Sequence, residues 1–309
     1  MALGKVKLLA LRLLSRAEPE IRTSYRLQRA FADIRSPHLM RRVYRLRDMK
    51  LHSGGHSIPV RIHEPKKQTS GQLILFFHGG GWATENIDTY HRICESLARR
   101  LGRRVLSVDY RLAPEHPFPA GLEDCYAAAE FLYKNTASLG AAAEDIVLMG
   151  DSAGGNLAAA VSLMARDRGA FSVKKQILIY PAVSSDHSAR SPYPSVRENG
   201  SDFILTSKRM QDYTGLYITR EEDLRNPYFA PILMEDLRGQ PETLIVTAQY
   251  DPLRDEGEDY GSRLQKAGNT VRILRMEDAL HGFLSLPPRF SHVKKTCDAI
   301  EEFLSGEKI

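Results

Sequence analysis

The chain has 309 residues, 42% of them hydrophobic and 26% charged, a balance that excludes disordered and fibrous classes and is large enough for a substantial core. The net charge of +5 is unevenly spread: the first fifty residues hold 13 Lys/Arg against 4 Asp/Glu, and the remainder 30 against 34. No apolar run approaches the eighteen uncharged residues a membrane span needs, and no nucleic-acid motif is present.

Residues 1–40 read as helical and basic. In "KVKLLALRLLSR" Lys5, Arg12 and Arg16 share one side of an ideal helix, while Leu3, Val6, Ala10, Leu13 and Leu14 share the other. Arg12 breaks the apolar run too early for a secretory leader. The reading is a helix that packs over the main domain, with docking on lipid as the alternative. Residues 43–65 follow as two alternating runs split by Gly54-Gly55, a hairpin signal.

Apolar runs then alternate with helical stretches. The runs are 72–78, 104–110, 145–150, 176–181, 243–251 and 271–276; the helical segments lie near 88–101, 119–136, 153–167, 256–268 and 291–305. Short unalternating strands separated by helices predict an α/β fold with a mostly parallel sheet covered on both faces. Residues 185–230, rich in Pro, Ser, Tyr and charge, interrupt this rhythm with no strand. They read as an insertion, and insertions at strand ends of α/β enzymes often cover a site. The last run, 271–276, leaves an edge on which a second copy could pair, so a homodimer is an expectation. Cys94, Cys125 and Cys297 are odd in number and far apart, which suits free thiols in a reducing, cytoplasmic setting.

Gly150-Asp151-Ser152-Ala153-Gly154 fits Gly-x-Ser-x-Gly. Three fixed positions recur by chance in roughly one chain in ten of this length, so the weight comes from context. A strand runs into Gly150 and a helix leaves Ser152, as a nucleophile elbow requires. The tight turn would lift the Ser152 hydroxyl above the sheet, and the helix N-terminus favours negative charge beside it. "FFHGGGW" (76–82) follows the run that would be the strand two places earlier in the sheet. Consecutive glycines there let backbone N–H groups point at an oxyanion, at roughly 2.7–4 kcal/mol each. The donors are assigned to Gly80, Gly81 and Ala153, with His78 structural. A phosphate-cradling loop fits less well, because no Lys-Ser/Thr follows.

A serine hydroxyl needs a base, and the base an acid, in the order Ser…Asp/Glu…His. Asp251 ends the run 243–251 where a carboxylate would emerge at the sheet's carboxyl edge. Asp255 and Glu256 compete from the start of the following helix. His281 lies in a loop after the last run, and His292, its alternative, sits within the presumed final helix. No zinc-type spacing accompanies these residues.

Together "HGGGW", "DYRLAPEHPFPAGLEDC", "GDSAGGN", "YDPLRDEG" and "HGF" resemble the hormone-sensitive-lipase-like esterases of the α/β-hydrolase fold, from about residue 40 to the C-terminus. The resemblance implies Ser152 as nucleophile, His281 as base, Asp251 as orienting acid and an oxyanion hole of Gly80, Gly81 and Ala153, with no cofactor and no metal. It makes Asp109 and Arg111 structural. It also implies a helical cap built from residues 1–45 and 185–230 over a catalytic domain of 46–184 and 231–309. The expected substrate is a short- to medium-chain acyl ester. The same triad would serve deacetylation of sugars or drug-like molecules, and amide or lactone hydrolysis. A ligand-binding receptor on this fold is the non-enzymatic alternative, and the presence of His281 argues against it. An interfacial lipase would rest on the basic amphipathic start.

Overall fold

Five of the six runs expected to be parallel strands are buried along nearly their whole length, which is why they read as continuous rather than alternating; the edge run 271–276 is mostly half-buried. The computed structural model describes residues 20–35, 47–201 and 203–306. Within these, β1 (Arg47–Ser53), β2 (His56–His63), β3 (Leu73–Phe77), β4 (Arg104–Val108), β5 (Ile146–Asp151), β6 (Lys175–Ile179), β7 (Glu242–Tyr250) and β8 (Val271–Leu280) form one sheet in the order β1-β2-β4-β3-β5-β6-β7-β8. The joins β1–β2 and β2–β4 are antiparallel and the others parallel. Gly54 and Gly55 make the predicted hairpin turn with φ of 56° and 81°, values that glycine adopts without steric cost. The amphipathic stretch 3–16 and the first residues of the expected hairpin, 43–46, lie outside the described residues.

The α-helices among the described residues are α1 (Ile21–Arg35), α2 (His91–Leu101), α3 (Ala120–Lys134), α4 (Thr136–Leu139), α5 (Ala153–Arg168), α6 (Pro194–Glu198), α7 (Ser207–Tyr217), α8 (Arg254–Lys266) and α9 (Ser291–Ser305). One sheet face is covered by α3, α5 and α8, whose Leu122, Leu157, Leu163 and Leu264 join the core; the other is covered by α2 and α9 through Leu97, Leu101, Ile300 and Phe303. Cys94, Cys125 and Cys297 are free and buried. No helix among the described residues is long and apolar enough to cross a membrane.

After β3 the chain crosses to β4 on one side and returns to β5 on the other, so β3 and β5 are neighbours. The glycine-rich loop therefore leaves a strand adjacent to the serine corner. The expected position two places away holds for chain order only. This reversal is the switch point at which open α/β sheets bind ligands beyond the strands' carboxyl ends. A second difference concerns β8, which runs four residues past the expected end at 276. Glu277 and Asp278 are polar and break the apolar pattern, yet an irregularity between Ala248 and Tyr250 lets pairing resume at Tyr250↔Leu280.

Among its described residues the segment 185–230 contains α6 and α7 and no strand. It is tied to α8 by Ser195 N–H, which donates to Asp255 (2.7 Å), and by Arg254 on Glu198 (2.9 Å). His187 and Glu256 add a buried pair at 2.9 Å. Burial disfavours the charged imidazole, but the Glu256 carboxylate more than offsets this and holds the His187 pKa above its usual value. A histidine whose folded pKa is raised contributes stability below its unfolded pKa and loses it as pH rises through the folded one. The thermal stability deficit of His187→Gln is therefore expected to be largest near pH 5.5 and to shrink toward pH 9. Melting temperatures of both proteins across that range check it.

Candidate active site

The corner between β5 and α5 is set by what cannot fit there. A Cβ on Gly150 would overlap the Gly154 carbonyl, and one on Gly154 would overlap the Phe77 carbonyl. The chain can thus bend sharply enough to put Ser152 at φ 55°, ψ −119°, a strained region for any residue with a side chain. Its N–H donates to the Ile179 carbonyl at 2.9 Å, and its carbonyl accepts from Asn156 N at 3.0 Å. These bonds fix the strain and leave the hydroxyl at the carboxyl edge of the sheet.

The register places the other groups. Tyr250 pairs with Leu280, so the next residues, Asp251 and His281, emerge side by side. His281 Nδ1 lies 2.7 Å from Asp251 Oδ2, and His281 Nε2 lies 2.9 Å from Ser152 Oγ. A carboxylate only accepts, so Nδ1 carries the proton and Nε2 accepts from the serine hydroxyl. Asp251 is fully buried, its Oδ1 taking the Leu253 N–H at 2.9 Å, while the His281 side chain is 11% exposed. The ring of Tyr180 lies against His281 with centroids 4.7 Å apart.

The competing residues are engaged elsewhere. Asp255 and Glu256 lie in α8, where they hold the insertion. His292 lies in α9 and meets the Glu277 carbonyl. His78 is buried, stacked on Tyr110 at 4.3 Å, and donates from Nδ1 to the Gly79 carbonyl; burial lowers its pKa to about 4. Arg111 grips Asp124 through Nε and Nη2. Asp109 accepts from Ile87 N, and burial raises its pKa to about 6.

Past β3, Gly80 and Gly81 take φ of 103° and 59° and Trp82 takes 59°. The Gly80 carbonyl accepts from Thr84 N and Oγ1, closing a turn. No described residue accepts from the N–H of Gly80, Gly81 or Ala153, so the three donors assigned from sequence have no partner within this turn or corner. Sequence reasoning missed what braces them. Asp151, an unassigned position of the serine motif, is buried and accepts from Gly79 N, Tyr90 Oη and Tyr180 Oη at 3.0, 3.0 and 3.2 Å. Burial pushes its carboxyl up to about 6, with the Tyr90 bond pulling the other way. The available signal was a charged residue ending a fully buried strand. Among the described residues, no three His, Cys, Asp or Glu side chains gather as a metal site.

A family model described as alpha/beta hydrolase fold matches residues 74–285. The chain belongs to the α/β-hydrolase family. The arylesterase of Saccharolobus solfataricus is 39% identical over 242 residues, 78% of this chain and 78% of that protein. The ethyl acetate hydrolase of Pseudomonas putida is 32% identical over 236 residues, 75% of this chain and 73% of that protein. Among solved structures, the hyperthermophilic esterase from the archaeon Pyrobaculum calidifontis is similar with a TM-score of 0.88 at 35% identity, covering 99% of each chain. Within the α/β hydrolases the chain is therefore a hormone-sensitive-lipase-like esterase, and its enzyme class is carboxylic ester hydrolase.

Proposed function

We propose that this α/β hydrolase cleaves short- to medium-chain acyl esters through an acyl-enzyme on Ser152. The observation that carries the reading is the chain of two hydrogen bonds from Asp251 through His281 to Ser152, 2.7 and 2.9 Å long. His281 Nε2 takes the hydroxyl proton as Oγ attacks the ester carbonyl carbon. Asp251 stabilises the imidazolium that forms, and the N–H groups of Gly80, Gly81 and Ala153 hold the oxyanion. The imidazolium then gives its proton to the leaving alcohol oxygen, and the C–O bond breaks. Water, deprotonated by the same imidazole, releases the acid and restores the serine. Base, acid and anion donors all come from the chain.

Short acyl chains are favoured because residues 1–45, of which 20–35 are described, and 185–230 read as two parts of a cap over the site. They meet where Lys208 pairs with Glu20 at 2.8 Å and Arg22 approaches Asp212 at 3.5 Å. A relative named for ethyl acetate supports the same preference. Three free, buried thiols support a cytoplasmic setting, and the open edge of β8 supports pairing with a second copy. Hydrolysis of p-nitrophenyl esters from acetate to palmitate tests the substrate reading. The highest kcat/KM is expected between acetate and hexanoate, with a fall of at least about tenfold by palmitate. A maximum at palmitate would overturn it.

A further inference from the structure

One helix of the segment 185–230 rests on the loop that carries two of the three assigned oxyanion donors. In α7, Tyr213 and Tyr217 are four residues apart and share a face. The Tyr213 ring lies on Gly81, where a Cβ would fall among its Cγ, Cδ1 and Cδ2 atoms. The Tyr217 ring stacks on the next residue, Trp82, with centroids 4.9 Å apart and planes 4° from parallel. Trp82 is held in turn by Asn156, which accepts its indole N–H at 3.2 Å, and by Ala113 N–H on its carbonyl at 2.9 Å. From beneath, Asp151 holds the Gly79 N–H.

The loop therefore has a floor and a roof, and the roof belongs to the insertion. Trp82 at φ 59° is a non-glycine residue in left-handed backbone, a conformation that persists only where its surroundings over-determine it. Stacking by Tyr217 and contact by Tyr213 are part of those surroundings. Gly81, with no side chain, has its space filled by the Tyr213 ring, so displacing that ring frees the Gly81 peptide to rotate.

We propose that Tyr213 and Tyr217 are positioning residues for the oxyanion hole, so that the enzyme turns over with α7 seated on the glycine loop and not with it lifted. This rests on the serine-esterase reading above and deepens it. The substrates are dissolved single ester molecules that fit beneath a seated helix, rather than lipid aggregates that a lifted lid would admit. An N–H group moved by a fraction of its bond length from the developing anion loses much of its effect, because its contribution depends on preorganisation.

The test compares Tyr213→Ala, Tyr213→Phe and Tyr217→Phe with the unaltered enzyme on p-nitrophenyl acetate. Tyr213→Ala is expected to lower kcat about 10- to 100-fold with KM changed less than about threefold. Tyr213→Phe, which keeps the ring, recovers most of that loss, and Tyr217→Phe keeps its stack on Trp82 and loses little. An unchanged kcat in Tyr213→Ala, or a variant whose KM and chain-length preference shift while kcat holds, overturns the proposal: the ring would then only shape the pocket. As a readout that does not depend on the folding of Tyr213→Ala, the unaltered enzyme is also assayed on tributyrin through its solubility limit. A smooth saturation is expected, and a jump in rate as droplets appear overturns the proposal. If the unaltered enzyme hydrolyses no ester at all, the serine-esterase reading fails, a result distinct from either.

Discussion

Alanine at position 152 is expected to lower kcat for p-nitrophenyl acetate by about 10⁶-fold while leaving the melting temperature nearly unchanged. The substitution removes the attacking oxygen but keeps the Cβ, so the strained backbone at φ 55° carries the same steric load. The Ser152 N–H and carbonyl bonds to Ile179 and Asn156 are untouched. His281→Ala is expected to cost a similar factor, because a serine hydroxyl without its base is as poor a nucleophile as water. The double variant is expected to be no worse than either single one, since the two side chains act as one unit. Multiplying losses would mean that Ser152 and His281 act separately. Steady-state kinetics with thermal unfolding on the same preparations separate chemistry from folding.

Asp251→Asn is expected to lower kcat by about 10⁴-fold with little change in KM. An amide in place of the carboxylate presents an N–H to His281 Nδ1, which then accepts and moves the ring proton to Nε2. That nitrogen faces Ser152 Oγ and can no longer take its proton. The fold tolerates the change, because the amide oxygen can still accept the Leu253 N–H that Asp251 Oδ1 accepts now. Asp255→Asn is the control. Its carboxylate holds Ser195 N–H and Arg254, so its loss is expected in melting temperature rather than in kcat. A large kcat loss for Asp255→Asn beside a small one for Asp251→Asn would reassign the acid.

What could be read before the fold was known divides along physical lines. The alternation of buried strands and helices was legible because parallel strands covered on both faces must be apolar at nearly every position, as β3 and β5 are. The serine corner and the glycine loop were legible because their steric demands exclude side chains. Long-range register was not. The meeting of Asp251 and His281 depends on β8 continuing through Glu277 and Asp278, past the point where its apolar pattern ends, to pair at Leu280. The clamp made by Asp151 was written in the motif, but its partners Tyr90 and Tyr180 come from separate elements. The contact of Tyr213 with Gly81 carried no local signal, since α7 sits in a segment without strong periodicity and reaches the loop only through the tertiary fold.

The most direct measurement is titration of the enzyme with diethyl p-nitrophenyl phosphate, which phosphorylates an activated serine and releases one p-nitrophenolate. The account predicts one equivalent released per active chain, activity lost in parallel, and a single diethylphosphoryl mass on the peptide containing Ser152, with no adduct in Ser152→Ala. An adduct on another residue that abolishes activity, or full ester hydrolysis by a chain that takes up no phosphoryl group, would contradict it.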